Sequence, residues 1–276
     1  MTDRPPPDPA EPLLSFGEPL IPLAPPGFKS GFVGIIGRPN VGKSTLMNRL
    51  VGQKIAITSP VAQTTRNRLR GILTTPEAQI IFVDTPGIHK PHHQLGAVLV
   101  KNAQIAIDSV DVVLFVVDGS VPAGKGDRYV ADLIGRTATP VILGLNKIDQ
   151  QPEESAAAID QSYVEIAQEQ DWSVVKFSAL TGTGQSDLQT QLNDALSPGP
   201  YYYPPDLVTD QPERFIMGEL IREQILLHTR EEVPHSVAIA IDRVEEHDET
   251  HVRAEMHFDS MEAAEVSLRW DGVTLL

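Results

Sequence analysis

The residues best suited to chemistry in this chain form one run at positions 37–44, which reads GRPNVGKS. The run fits the pattern G-x-x-x-x-G-K-[ST], follows an apolar segment at 32–36 and precedes a helical pattern. In that setting loop N–H groups point at phosphate oxygens, the Lys43 ammonium reaches the β- and γ-phosphates, and the Ser44 hydroxyl holds Mg²⁺. The run therefore predicts a nucleoside triphosphate site. The residues expected to line it here are Gly37, Asn40, Val41, Gly42, Lys43, Ser44 and Thr45.

A second polar run, Asp84-Thr85-Pro86-Gly87, follows the predicted strand 79–83. The Asp84 carboxylate can accept a hydrogen bond from a Mg²⁺-bound water, and the Gly87 N–H can bond the γ-phosphate. An Asp that opens a Pro-Gly turn is common in any protein. This run, however, lies about 40 residues after a phosphate loop. At that spacing it predicts the metal-binding end of the same site, with Thr85 and Pro86 beside the nucleotide.

Recognition of the base is assigned to the run Asn146-Lys147-Ile148-Asp149, which follows the predicted strand 141–145. The Asp149 carboxylate can accept hydrogen bonds from the guanine N1–H and 2-amino groups, and adenine lacks both donors. Asn146 is expected to tie the base loop to the phosphate loop, and the stem of Lys147 is expected to cover the face of the base.

The run Ser178-Ala179-Leu180 follows the predicted strand 173–177 and can present the Ala179 N–H to guanine O6. Such a tripeptide carries little information by itself. Its place after the three other runs, each at the end of a strand, favours GTP over ATP as the ligand.

Between the first two runs lies Gln63-Thr64-Thr65-Arg66. Nucleotide switches order a loop hydroxyl onto Mg²⁺ when the γ-phosphate is present, and Thr65 is the first choice for that role, with Thr64 second and ordinary loop threonines as the alternative. Ile88 cannot orient a water by hydrogen bonding, so slow intrinsic hydrolysis is expected. The catalytic candidates are thus Lys43, Thr65 and Gly87, and the metal candidates are Ser44, Thr65 and Asp84.

Alternating strand and helix patterns must position these runs. Near-continuous apolar segments such as 112–117 are typical of strands buried on both faces, and ligands of such sheets sit at the carboxyl ends of the strands. The pattern predicts an α/β fold with a doubly wound, mostly parallel sheet. Strands are predicted at 31–36, 69–75, 79–83, 112–117, 141–145 and 173–177, and helices near 44–51, 96–108, 126–136, 153–169 and 185–196.

Proline and glycine between 197 and 205 predict a linker, which we place at 198–212 after a GTPase domain at 29–197. An amphipathic helix at 213–229 and an alternating hairpin at 237–258 follow. They predict a small α+β domain over 213–276.

Composition limits the classes of protein. The 276 residues include no cysteine, which excludes a disulfide scaffold and is compatible with a reducing cytoplasm. No apolar run approaches the ~20 residues of a spanning helix, and residues 1–28 form a Pro-rich extension expected to be disordered. Charge is uneven: residues 31–150 carry 13 Lys/Arg and 8 Asp/Glu, whereas 151–276 carry 7 and 25. The acidic half does not suit a nucleic-acid backbone.

These motifs resemble the Era family of bacterial GTPases. The most family-specific part is Pro86-Gly87-Ile88-His89-Lys90-Pro91, with Leu95-Gly96 beyond it, and the similarity covers about 29–258. The resemblance implies a TRAFAC-class GTPase that cycles between GTP and GDP with Mg²⁺. It also implies a type II KH domain that binds 16S rRNA during 30S assembly, a monomer in the cytoplasm, and peripheral contact with the cell membrane. Related GTPases use an Asn at the Asn40 position to coordinate K⁺.

The KH part departs from the family pattern. A type II KH domain runs α-β-β-α-α-β with a Gly-x-x-Gly loop, but only 18 residues follow Phe258 and Gly272 is their single glycine. The domain is therefore expected to be truncated or divergent after about 258. Two alternatives stay open: a GTPase whose RNA-binding output is lost, and a related GTPase of another ribosomal or tRNA process.

Overall fold

The computed structural model describes residues 21–58, 69–84, 107, 109–228, 239–248, 251–258 and 261–269. The strands are β1 (Lys29–Ile36), β2 (Arg70–Thr74), β3 (Ala78–Asp84), β4 (Val112–Asp118), β5 (Val141–Asn146), β6 (Ser173–Lys176), β7 (Ala240–Asp248), β8 (His251–Phe258) and β9 (Met261–Arg269). The helices are α1 (Lys43–Val51), α2 (Lys125–Ile134), α3 (Ala156–Gln170), α4 (Gln185–Ala195) and α5 (Glu213–His228). The predicted helix at 96–108 falls almost wholly outside the described residues.

Six strands form one sheet in the order β2-β3-β1-β4-β5-β6. Within this sheet β2 runs antiparallel to β3, and the other described pairings are parallel. Chain order reverses beside β1, as in a doubly wound fold. The predicted α/β class with a mostly parallel sheet is confirmed.

The sheet is buried on both faces, which explains the continuous apolar runs. In β4, Val112, Leu114 and Val116 pack in one core cluster with α1 and α4. The alternate residues Val113, Phe115 and Val117 pack in a second cluster with α2 and α3. Since successive side chains of a strand point to opposite faces, a strand between two helical layers has no solvent-facing position.

A buried polar side chain of β3 forms hydrogen bonds with the segment that follows the large sheet in sequence. Gln79 of β3 is fully buried. Its Oε1 accepts the backbone N–H groups of Tyr202 and Tyr203 at 2.8 and 3.0 Å, and its Nε2 donates to the Tyr203 carbonyl at 2.9 Å. Farther along, the Ile72 N–H donates to the Val208 carbonyl at 2.8 Å. The predicted linker thus lies hydrogen-bonded along β2 and β3.

The C-terminal elements comprise α5 and a three-stranded antiparallel sheet in the order β7-β8-β9. Phe215 and Ile216 at the start of α5 pack against the core of the large sheet. The strand β9 was not predicted, although Ala264, Val266 and Leu268 alternate with polar residues. The domain boundaries drawn from the sequence stay a prediction. No helix within the described ranges is both long and apolar enough to cross a membrane.

Candidate nucleotide-binding site

The carboxyl ends of β1, β3, β4 and β5 meet at one edge of the sheet, and the loop 37–42 joins β1 to α1 there. Two glycines make this loop fit. A Cβ on Gly37 would lie 2.3 Å from the Val116 carbonyl oxygen, and one on Gly42, where φ is 97°, would lie 2.3 Å from Asn146 Nδ2. Only glycine combines that backbone conformation with so close an approach. The loop therefore presses directly against the base-recognition segment.

The predicted phosphate-binding lysine lies inside this loop. Lys43 Nζ donates to the carbonyl oxygens of Gly37 and Arg38 at 3.2 and 2.9 Å, and the side chain is only 8% exposed. Burial lowers the pKa of Lys43 below its ordinary value, and the negative charge of Asp84 acts in the opposite direction. A desolvated ammonium held mainly by neutral carbonyls favours a strongly anionic ligand.

Two of the predicted metal residues lie together. Ser44 Oγ donates to Asp84 Oδ2 at 3.3 Å, and Asp84 is fully buried at the end of β3. A hydroxyl beside a carboxylate fits the hard oxygen ligands that Mg²⁺ prefers. The third metal candidate, Thr65, lies outside the described residues, as do Thr85, Pro86, Gly87 and Ile88. Within the ranges described, no group of three or more acidic, histidine or cysteine side chains is arranged to hold a metal.

Asn146 joins three loops. Its Nδ2 donates to the Val41 carbonyl at 2.8 Å, and its Oδ1 accepts the Ala179 N–H at 2.8 Å. The side chain is 2% exposed. One amide thus connects the phosphate loop, the end of β5 and the loop after β6. This is the connection that the sequence assigned to Asn146.

The other residues predicted to surround the base make contacts within the protein or are exposed to solvent. The Ala179 N–H, predicted to contact guanine O6, donates to Asn146 in the structure, so its contact with the base stays a prediction. Ser178 Oγ accepts the Thr181 N–H at 3.0 Å and shapes the turn, while Leu180 is 67% exposed. Asp149 is exposed in a 3₁₀ turn after β5. Desolvation of its carboxylate would therefore accompany binding of the base.

Two ion pairs around the site were not predicted from the sequence. Lys147 Nζ lies 2.6 Å from Asp118 Oδ2 at the end of β4. Arg38 Nη1 lies 3.1 Å from Asp127 Oδ2, and the same carboxylate oxygen accepts the Gly124 N–H at the start of α2. Asp118 could have been noticed in the sequence, because it is the acidic residue that directly follows the apolar run 112–117. Arg38 and Asp127 are 89 residues apart in the chain, and no local pattern connects them.

The fold and this edge of the sheet define a P-loop GTPase. A family model described as 50S ribosome-binding GTPase matches residues 32–147. The chain belongs to the Era family of GTPases. GTPase Era of Nostoc sp. (strain PCC 7120 / SAG 25.82 / UTEX 2576) is 76% identical over 230 residues, which cover 83% of this chain and 71% of that protein. GTPase Era of Synechocystis sp. (strain ATCC 27184 / PCC 6803 / Kazusa) is 69% identical over 226 residues, covering 82% and 72%.

Solved structures agree with this assignment. A crystal structure of Era in complex with MgGDPNP and nucleotides 1506–1542 of 16S ribosomal RNA has a TM-score of 0.72 at 38% identity, covering 80% of this chain and 74% of that one. A variant of Aquifex aeolicus Era bound to GDP and AlF₄⁻ has a TM-score of 0.71 at 38% identity, covering 80% and 75%. The predicted family resemblance is confirmed, and the chain is a GTPase.

Proposed function

We propose that this chain is a Mg²⁺-dependent GTP–GDP switch that binds 16S rRNA and acts in assembly of the 30S subunit. The observation that carries the proposal is the convergence of Lys43, Ser44, Asp84 and Asn146 at one edge of the sheet. Ser44 and Asp84 would hold Mg²⁺, with Thr65 joining them in the GTP state. The ion would neutralise charge on the β- and γ-phosphates.

The phosphate end is tested by Lys43→Ala. Because Lys43 supplies the buried ammonium of the loop, the variant should lose mant-GTP binding by about 100-fold or more, as expected for a charge-assisted contact in a desolvated site. Lys125→Ala is a matched control, since Lys125 is exposed at the start of α2. Retained binding in Lys43→Ala would remove the lysine from the phosphate site.

The base end is tested by Asp149→Asn. An amide can donate to the 2-oxo group of xanthine, whereas the native carboxylate accepts from the guanine N1–H and 2-amino groups. The variant should therefore prefer XTP to GTP in competition against mant-GDP. If XTP competes no better than GTP, Asp149 does not read the base.

We also propose that K⁺ assists hydrolysis through Asn40. The loop holds Asn40 at a positive φ of 63°, a conformation that Asn tolerates better than most residues. An aliphatic Ile88 leaves water activation to another group. Phosphate release should be several-fold faster in KCl than in NaCl of equal ionic strength, and Asn40→Ala should abolish the difference. Equal rates in the two salts would exclude this role.

The RNA-binding part of the proposal rests on the Era structure solved with 16S rRNA. In this chain β9 follows β8 directly and antiparallel to it, which differs from the α-β-β-α-α-β order of a type II KH domain. Filter binding to a 16S 3′-end oligonucleotide at physiological salt separates the alternatives. A Kd below ~10 μM supports an RNA-binding factor. Weaker binding leaves a GTPase that has lost this output or serves another ribosomal or tRNA process.

We further propose a cytoplasmic monomer with peripheral contact at the cell membrane. Sedimentation of the GTP- and GDP-bound protein would test the monomer. Cell fractionation, with and without a high-salt wash, would test the membrane contact. Release by salt is expected of a peripheral protein.

A further inference from the structure

We propose that Asp118 is a positioning residue for guanine recognition, which holds the Lys147 side chain across the ends of β4 and β5 so that its stem forms one wall of the base site. The proposal rests on the role in base binding proposed for the Asn146–Asp149 segment. It assigns a function to a residue at the end of a neighbouring strand, outside the four nucleotide-binding runs.

The carboxylate of Asp118 is held on both oxygens. Oδ2 accepts from Lys147 Nζ at 2.6 Å. Oδ1 accepts the Ser120 N–H at 3.1 Å and the Ser120 hydroxyl at 2.6 Å. With three donors the carboxylate has one orientation, and that orientation fixes the position of the ammonium.

The backbone around Asp118 is anchored as well. Its carbonyl accepts from the hydroxyl of Tyr163, a fully buried residue of α3, at 2.9 Å. The next residue, Gly119, donates its N–H to the Asn146 carbonyl at 2.7 Å. Asp118 and Asn146 are partners in the pairing of β4 with β5. Lys147, one residue later, therefore starts at a fixed place beside Asp118.

The stem of Lys147 spans the gap between the two strand ends. Its backbone has a positive φ of 65°, which turns the chain at the point where the base-recognition segment begins. A lysine with a free ammonium would sample many rotamers, because its side chain has four rotatable bonds. Fixing the ammonium at Asp118 removes that freedom before the base arrives, so less ordering accompanies binding.

The charge state of the pair supports this role. Burial would by itself raise the pKa of Asp118, but hydrogen bonds from Lys147 and Ser120 lower it below its ordinary value. The carboxylate is therefore ionised at the pH of any nucleotide assay. Lys147 and Asp118 are each about one-quarter exposed, so water can screen the pair only in part.

A double-mutant cycle tests the proposal, using mant-GDP and mant-GTP affinities of the nucleotide-free full chain. Asp118→Ala should weaken both nucleotides by the same factor, about fivefold, as expected for a partly buried ion pair, because the contact lies at the base. In a Lys147→Ala background the same substitution should change affinity by less than about twofold. Asp118→Glu should restore part of the affinity.

The control is Asp160→Ala, which breaks an ion pair of the same length, 2.6 Å, with Lys176 of β6. It should leave nucleotide affinity unchanged. An unaltered affinity in Asp118→Ala, or an equal loss with and without Lys147, would overturn the positioning role. If Lys147→Ala binds mant-GDP and mant-GTP like the wild type, the role of Lys147 at the base is refuted instead. The experiment therefore distinguishes failure of the Asp118 proposal from failure of the proposed role of Lys147.

Discussion

A buried carboxylate of α5 contacts the segment that follows α1, and its removal is expected to lower the free energy of unfolding. Glu223 is 1% exposed. Its Oε1 accepts the Thr58 N–H at 2.8 Å and the Thr58 hydroxyl at 2.9 Å, and its Oε2 forms an ion pair with Lys54. All three donors belong to the segment after α1. Glu223 therefore joins the C-terminal helix to the segment that directly follows α1, the helix after the phosphate loop.

The size of the effect follows from these contacts. A hydrogen bond to a charged group contributes about 1.5–3 kcal/mol, and Glu223→Ala removes two of them. Lys54 is 46% exposed and can be rehydrated, so its pairing adds about 1 kcal/mol or less. The two hydrogen bonds alone account for about 3 kcal/mol or more, and losses above about 4–5 kcal/mol are exceptional for one substitution. We therefore expect the free energy of unfolding to fall by about 3–5 kcal/mol in the alanine variant. Glu223→Gln keeps the acceptor for Thr58 and should cost about 1–2 kcal/mol.

The free energy of unfolding of both variants can be measured by urea unfolding of the nucleotide-free chain, followed by far-UV circular dichroism. Gln224→Ala is the matched control, because Gln224 is the next residue of α5 and is exposed. Hydrogen exchange adds a local readout: amides of α5 and of residues 54–58 should lose protection together in Glu223→Ala. A loss below about 0.5 kcal/mol, within the range of ordinary surface substitutions, would refute the reasoning.

Three further predictions follow from the site. Gly42→Ala should weaken GDP binding more than tenfold by fluorescence titration, because the new Cβ would displace the Asn146 amide at a backbone φ of 97°. In Lys43→Met, the buried ammonium is absent. Burial lowers the pKa of Lys43 below 10.5 in the folded protein, so the unfolded chain binds this proton more tightly than the folded chain does. The free energy of unfolding of the wild type should therefore rise, relative to that of Lys43→Met, as pH increases toward 10.5. Tyr163→Phe should lower the free energy of unfolding by about 1–2 kcal/mol, because the Asp118 carbonyl loses a buried donor.

Each of these predictions has an opposing outcome. Unchanged GDP affinity in Gly42→Ala would mean that the Asn146 amide moves without cost. A stability difference between wild type and Lys43→Met that is constant from pH 7 to 10 would place the pKa of Lys43 at its ordinary value. Unchanged stability in Tyr163→Phe would show that water replaces the phenol at Asp118.

The sequence predicted the sheet and the strand-end runs because both depend on local patterns. A continuous apolar segment such as 112–117 is typical of a strand that is covered on both faces. Gly37, Gly42 and Lys43 belong to a sequence motif whose loop geometry is known. The contact of Asn146 with the phosphate loop was also predicted, since both segments follow parallel strands that end at the same edge.

Contacts that depend on strand order could not be predicted in this way. The Asp118–Lys147 pair requires β4 and β5 to be neighbours in the sheet, and the Arg38–Asp127 pair requires α2 to begin beside the phosphate loop. Gln79 gave a weaker signal: a polar residue at the start of the predicted strand 79–83 is consistent with a buried hydrogen-bonding role, but it does not identify the partner. The strand β9 was not predicted, because the segment after Phe258 was compared with the KH pattern, which has helices there, and was expected to be truncated or divergent.

The contacts of Gln79 have a consequence for how this chain can vary. The amide binds main-chain atoms of Tyr202 and Tyr203, while Glu223 fixes α5 about twenty residues later. Between these two anchors the chain length is therefore constrained more strongly than the identity of many side chains. One inserted residue before Glu213 would advance α5 by a single helical position, a rotation of about 100°, and would turn Glu223 away from Thr58. Homologues should accordingly tolerate substitutions in this segment and resist insertions or deletions.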